Sequence, residues 1–229
     1  MEYPHNRPYT ADDLVLIITL LRDPLNGCPW DKVQTHTSIR MNFLEEAYEA
    51  VDALDLDDPV LMCEELGDVL MQVAFHTCME QETGRFTWEQ VCDGVCQKLI
   101  ERHPNIFGTQ PGYEGITDWD ALKNKEKGRR TLADDLESVP RAMPALMRAA
   151  KLQKRAARHG AALQGADAAA LADAAENLQT AQPASAQAEQ AVGELLFAAA
   201  NLAWQAGVDP EQALQKANEA FCTAAGPVA

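Results

Sequence analysis

The chain has 229 residues, 47% of them hydrophobic, and a formal net charge of −16. That length supports one large or two small domains with a real core, and the acidity argues against binding a nucleic-acid backbone or an anionic membrane surface. No apolar run is long enough to span a bilayer, and the polar, proline-broken stretch 1–9 lacks the pattern of a signal peptide, so a cytoplasmic protein is expected.

Apolar periodicity predicts helices over 11–21, 38–56, 59–81, 88–102, 118–127, 142–159, 162–179, 185–205 and 210–221, with no convincing alternating strand. The predicted fold is therefore all-α. Thr87-Trp88-Glu89-Gln90 reads as a capping box, and Asp209-Pro210-Glu211-Gln212 as a cap with proline at the first helical position. From His103 to Pro144, glycines and prolines mark a linker interrupted by one short helix containing Trp119. Basic residues gather at Lys123, Lys125, Lys127, Arg129 and Arg130 and again at Arg148, Lys151, Lys154, Arg155 and Arg158; solvated helix faces and linker charge account for them. The six cysteines form no CxxC pair and mostly fall inside helical patterns, which predicts reduced, buried thiols.

Two carboxylate pairs flank one short loop: Glu46 and Glu49 before it, Glu65 and Asp68 after it. Each pair is spaced i,i+3 and lies on one face of its helix. Asp57-Asp58-Pro59 marks the turn, so an antiparallel hairpin brings all four carboxylates to one level. Such a cage suits Mg²⁺, with Mn²⁺ as an alternative, since no thiolate or imidazole cluster accompanies it. On the first helix an acidic pair opposite the apolar stripe Leu44, Tyr48, Val51 is equally consistent with a solvated face. The second helix shifts the balance toward a metal site. It is apolar almost all round from Leu61 to Met79, with a narrow polar stripe of Glu65, Asp68, Gln72 and His76, and a carboxylate on a buried helix is costly unless paired or ligating. So apolar a helix needs neighbours on several sides, which predicts a four-helix bundle completed by homodimerisation.

The two halves align as copies of one unit. Gly67-Asp68-Val69-Leu70 corresponds to Gly193-Glu194-Leu195-Leu196, and Gln97-Lys98 to Gln215-Lys216. Where the first half has Glu46, Glu49, Glu65 and Asp68, the second has Asp173, Glu176, Ala191 and Glu194, an eroded cage. The expected organisation is a first domain over 1–108, a linker over 109–141 and a degenerate second domain over 142–229. The alanine-rich stretch from Ala161 to Ala191 favours helix while burying little area.

Gly27-Cys28-Pro29-Trp30-Asp31, Gln34-Thr35-His36, Glu45-Glu46-Ala47-Tyr48-Glu49, Glu64-Glu65-Leu66-Gly67-Asp68 and the run from Lys98 to Gly108 occur in that order. Together they resemble the MazG family of nucleoside triphosphate pyrophosphohydrolases. The resemblance implies tandem all-α units, Mg²⁺ dependence, dimerisation, and hydrolysis of nucleoside triphosphates to monophosphate and pyrophosphate. It makes Glu46, Glu49, Glu65 and Asp68 the metal ligands and Glu46 or Glu49 the holder of the attacking water. Lys98 and Arg102 then clamp phosphates, and Trp30 stacks on the base. Gly67 is expected to allow close helix approach beside the metal, while capping or loop hydrogen bonds account for Asp31 and His36. Two other readings remain open at this point. One is a catalytically silent nucleotide-binding or regulatory protein; the other is a pyrophosphohydrolase restricted to dUTP, dCTP or phosphoribosyl-ATP.

Overall fold

The computed structural model describes residues 2–5, 7–108, 122 and 126–226, and every regular element named below is helical. The chain divides into two compact units, Met1–Ile116 and Thr117–Ala229.

The first unit contains α1 (Ala11–Leu21), a 3₁₀ turn (Asp31–Val33), α2 (His36–Asp55), α3 (Pro59–Glu82) and α4 (Trp88–Arg102). Thr10, Thr35 and Thr87 each close a capping box with the residue three positions on, Asp13, Ser38 and Gln90. Such caps stabilise a helix by about 1 kcal/mol each. The α2–α3 turn also follows from its chemistry. Asp57 takes a positive φ of 52°, and the Asp58 carboxylate accepts from the amides of Val60 and Leu61 while Pro59 opens α3. The core joins Ile18 of α1, Ile39 of α2, Ala74, Phe75, Cys78 and Met79 of α3, and Trp88 of α4.

Burial along α3 is uneven within the single chain. Only its second half is enclosed, by α1, α2 and the start of α4, whereas Val60, Leu66 and Leu70 are exposed. The stripe Leu44, Tyr48, Val51 is likewise not the packed face of α2. Tyr48 and Val51 are exposed, and the buried positions are Ile39, Ala50 and Ala53. Glu46 is four residues before Ala50 and seven after Ile39, so it shares the face turned toward α3. Gly67 does not serve close packing within the chain, because a Cβ there would meet nothing within 4 Å.

The second unit contains α5 (Leu132–Glu137), α6 (Ala145–Arg158), α7 (Ala168–Thr180), α8 (Ala186–Gln205) and α9 (Pro210–Ala225). The α7–α8 and α6–α8 packings dominate it, and its buried positions on α7 and α8 are mostly alanines: Ala174, Ala191, Ala198 and Ala200. Helix α7 begins later than the periodicity suggests because Gly165, at φ 68°, turns the chain and Asp167 caps the helix at Ala168. The short helix α5 was not expected. Its Asp135 is 1% exposed and pairs with Arg155 at 2.9 Å and His159 at 3.2 Å, with Arg158 3.8 Å away. Arg155 is therefore a buried ion-pair partner rather than part of a solvated basic face, because α5 brings a carboxylate against α6. The predicted helix around Trp119, and Lys123 and Lys125, lie outside the described residues.

All six cysteines are free, but only Cys78 is buried; Cys63, Cys96 and Cys222 are exposed on their helices. Among the described residues no helix is long and apolar enough to cross a membrane.

Candidate functional site

The α2–α3 crossing carries the predicted carboxylates. One oxygen from each of Glu46, Glu49 and Glu65 lies within 4.8 Å of the other two, and this is the one such group of potential metal ligands among the described residues. Asp68 stands beside Glu46 and Glu65, close enough to raise the pKa of both, without joining the three-oxygen cluster. The crowding has an electrostatic signature. Partial burial, then the Asp68 carboxylate, raises the Glu46 pKa above its ordinary value, against a lowering contribution from the Gln72 amide, which donates to Glu46 Oε1 at 3.4 Å. Partial burial, then Glu49, raises that of Glu65. Carboxylates crowded closely enough to raise one another's pKa are a ready-made acceptor set for a hard divalent cation, whose charge removes the repulsion.

The donor set fits Mg²⁺ or Mn²⁺ on its chemistry: all-oxygen ligands, half-exposed, with room left for water and phosphate oxygens. Glu46, Glu49 and Glu65 would hold the ion, with Asp68 as the nearest further carboxylate.

The remaining predicted residues come from elsewhere in the unit. Trp30 lies just before the 3₁₀ turn, 57% exposed. Lys98 is exposed and Arg102 half-buried in the last two turns of α4, whose first turns carry the contact with the core through Trp88 and Cys92.

The polar stripe of α3 continues beyond the predicted residues. His36, the first residue of α2, is more than a loop residue: its Nδ1 lies 2.7 Å from His76 Nδ1 and its Nε2 2.5 Å from Glu80 Oε1, with the two imidazole rings stacked. Arg85 Nη2 donates to the same Glu80 oxygen at 2.5 Å, so a carboxylate side chain 8% exposed has a cation and an imidazole against it. Burial, then His36, lowers the His76 pKa below 6.5. The spacing that marks Glu65, Asp68, Gln72 and His76 reaches Glu80 when carried one step further, so the sequence itself holds a signal for this residue. Arg22, on the last turn side of α1, gave no periodic signal and was missed. Its guanidinium lies against Glu82, 2.5 Å from Nε to Oε1 and 2.9 Å from Nη2 to Oε2, and over the Phe75 ring.

An all-helical unit that gathers carboxylates where two helices cross defines the class. Residues 34–107, which hold α2, α3, α4 and all four acidic residues, match the family model described as the MazG nucleotide pyrophosphohydrolase domain. The chain is 41% identical over 219 residues to a nucleoside triphosphate pyrophosphohydrolase of Escherichia coli strain K12, covering 92% of this chain and 83% of that one. It is 38% identical over 212 residues to a nucleoside triphosphate pyrophosphohydrolase/pyrophosphatase MazG of Thermotoga maritima, covering 92% and 82%. A nucleoside triphosphate pyrophosphohydrolase of Mycobacterium tuberculosis is 35% identical over 154 residues, 66% of this chain and 46% of that one. The chain belongs to the MazG family of nucleotide pyrophosphohydrolases.

Proposed function

We propose that this protein hydrolyses nucleoside triphosphates to nucleoside monophosphate and pyrophosphate in nucleotide-pool house-cleaning, at the α2–α3 carboxylate cluster. The observation that carries the reading is the convergence of Glu46, Glu49 and Glu65 within a segment that matches the family model. A triphosphate and four carboxylates repel one another. Mg²⁺, or Mn²⁺ in its place, held by Glu46, Glu49 and Glu65, would supply the charge that lets them meet. Glu46 or Glu49 orients the water that attacks the α-phosphorus and accepts its proton. Lys98 and Arg102 neutralise the departing pyrophosphate, and Trp30 offers an aromatic face to the base.

The second unit is a diverged copy that supports the first. Its α7–α8 pair presents Asp173 and Glu194 to a cavity of about 680 Å³, but Ala191 stands where Glu65 has its counterpart. The exposed apolar residues Tyr48 and Val51 of α2 and Leu66 and Leu70 of α3 form the face through which two chains complete a helical bundle as a homodimer. A cytoplasmic location accords with the acidic charge and with free, partly exposed thiols.

Chromatography of products after incubation with Mg²⁺ and each common NTP and dNTP tests the reading, with Glu49→Gln as control. Monophosphate plus pyrophosphate, lost in the variant, is the expected result. Diphosphate plus orthophosphate, or no turnover of any nucleotide, would overturn it.

A further inference from the structure

The loop that carries Trp30 is held in place with more bonds than a surface loop needs. At its entry, Gly27 turns so tightly against the end of α1 that a Cβ would collide with the carbonyl oxygens of Leu21 and Asp23. The Gly27 amide donates to Asp23 O at 2.9 Å and the Cys28 amide to Leu21 O at 2.8 Å. In its middle, Arg22 Nη1 donates to Asp31 O at 2.7 Å and Gln34 O at 3.2 Å, while the rest of the same guanidinium is engaged by Glu82. The Gln34 side-chain amide donates to Trp30 O at 2.8 Å, and Ser38 Oγ donates to Gln34 Oε1 at 2.8 Å. At its exit, His36 is pinned on Glu80 and His76. Yet the Trp30 ring, in the centre of this framework, is left exposed.

A bulky aromatic ring exposed on an immobilised backbone is a preorganised stacking surface, because the entropy of ordering it is spent in folding rather than on binding. The geometry points to Arg22 as the positioning residue that fixes Trp30 as a rigid platform for the nucleobase. This rests on the proposed hydrolysis of nucleoside triphosphates and deepens it. One guanidinium joins the loop carbonyls to α3, and the planar fork is what allows a single side chain to serve Glu82 and two carbonyls at once; a lysine ammonium cannot reproduce it. Stacking reads the π-face that all bases share, so this platform gives affinity with little discrimination among bases. The first position of α2, where the loop ends, is three helical turns or about 15 Å from Glu46 along the helix axis, the length scale of an extended nucleoside triphosphate.

The test is a double-mutant cycle on the full chain with Arg22→Lys, Trp30→Ala and the pair. KM and kcat are measured for ATP, GTP, CTP and UTP, together with the Kd of α,β-methylene-ATP in the presence of Mg²⁺. Trp30→Ala, at an exposed position, is expected to raise KM and Kd about ten-fold with kcat within about two-fold of wild type. Arg22→Lys is expected to raise the same two quantities, and to add nothing further in the Trp30→Ala background because it acts through that ring. Gln34→Ala, a milder lesion of the same loop, serves if Arg22→Lys does not fold, and should give a smaller rise that also vanishes in the Trp30→Ala background. An unchanged Kd in Trp30→Ala, a loss confined to kcat, or effects that multiply in the double variant would overturn the inference. A wild-type chain that binds the analogue through Trp30 but releases no pyrophosphate from any nucleotide would contradict the proposed hydrolysis alone.

Discussion

The α2–α3 pair and the α7–α8 pair are both capped, closely packed helical pairs, yet they solve opposite problems. In α7–α8 the buried positions are alanines together with Asn201, whose amide donates to Ala166 O at 2.6 Å, and Asp173 and Glu194 line the cavity without forming a cluster of three carboxylates among the described residues. In α2–α3 a seam runs from Glu49, Glu46 and Glu65 through Gln72 to His76, His36 and Glu80, and burial and neighbouring charges raise the pKa of Glu46 and Glu65 and lower that of His76. A seam of this kind costs stability in the absence of a ligand, which a purely structural helix pair does not need to bear. The contrast is the ground for proposing chemistry at the first pair and a scaffolding role for the second.

The strongest way to break this comparison is to exchange charge for amide in each pair. Glu49→Gln is expected to lower kcat by about 100-fold or more. Asp173→Asn with Glu194→Gln should leave it within about two-fold. Steady-state assays of pyrophosphate release check both, and equal losses would erase the distinction. A second test bears on the exposed apolar face. The wild type is expected to sediment as the proposed homodimer and Leu66→Glu as a monomer at micromolar concentration, since a buried unpaired carboxylate is strongly unfavourable. Val192→Glu on α8, also exposed, should leave the sedimentation coefficient unchanged.

Smaller effects come from the protonation of the seam. The Glu46 and Glu65 pKa values are raised by folding, so the folded state holds those protons more tightly than the unfolded chain. Their ionisation thus costs stability as pH rises through the unfolded value toward the raised one, and the cost persists at neutral pH. Glu46→Gln should accordingly raise the melting temperature of metal-free protein by about 2 °C while removing most of the stabilisation that added Mg²⁺ gives to the wild type. For the same reason divalent-ion affinity should fall as pH drops through a range above that of ordinary carboxylates. The His76 pKa is lowered, so its neutral ring contributes stability above the ordinary 6.5 that is lost as pH falls through the lowered value. Urea unfolding of His76→Gln between neutral and mildly acidic pH should show a flatter acid limb than the wild type, and an unchanged limb would remove His76 from the account.

The helices of the first unit were readable because their apolar periodicity and turn chemistry agree: Asp58-Pro59 sets the start of α3 and Thr87 that of α4. The boxes at Thr10, Thr35 and Thr131 were less visible because Asp or Ser stands where Glu or Gln is the usual sign. Three of the four cage residues meet at one point because i,i+3 spacing and a short turn fix their level, which is a local property. Arg22, Glu82, Asp135 and Arg155 were not visible, since their pairings join residues far apart in the chain and carry no periodic mark. The apolarity of α3 is legible in its composition, whereas which of its residues the unit itself encloses is not, because that depends on where α1 and α4 pack along it.

Mn²⁺ titration followed by electron paramagnetic resonance, on the wild type, Glu49→Gln and the Asp173→Asn, Glu194→Gln pair, separates the two helical pairs without recourse to turnover. Saturable binding is predicted in the wild type and in the second-unit variant, and should be lost in Glu49→Gln. Binding that survives Glu49→Gln and disappears with Asp173 and Glu194 would place the ion in the second unit and contradict the assignment.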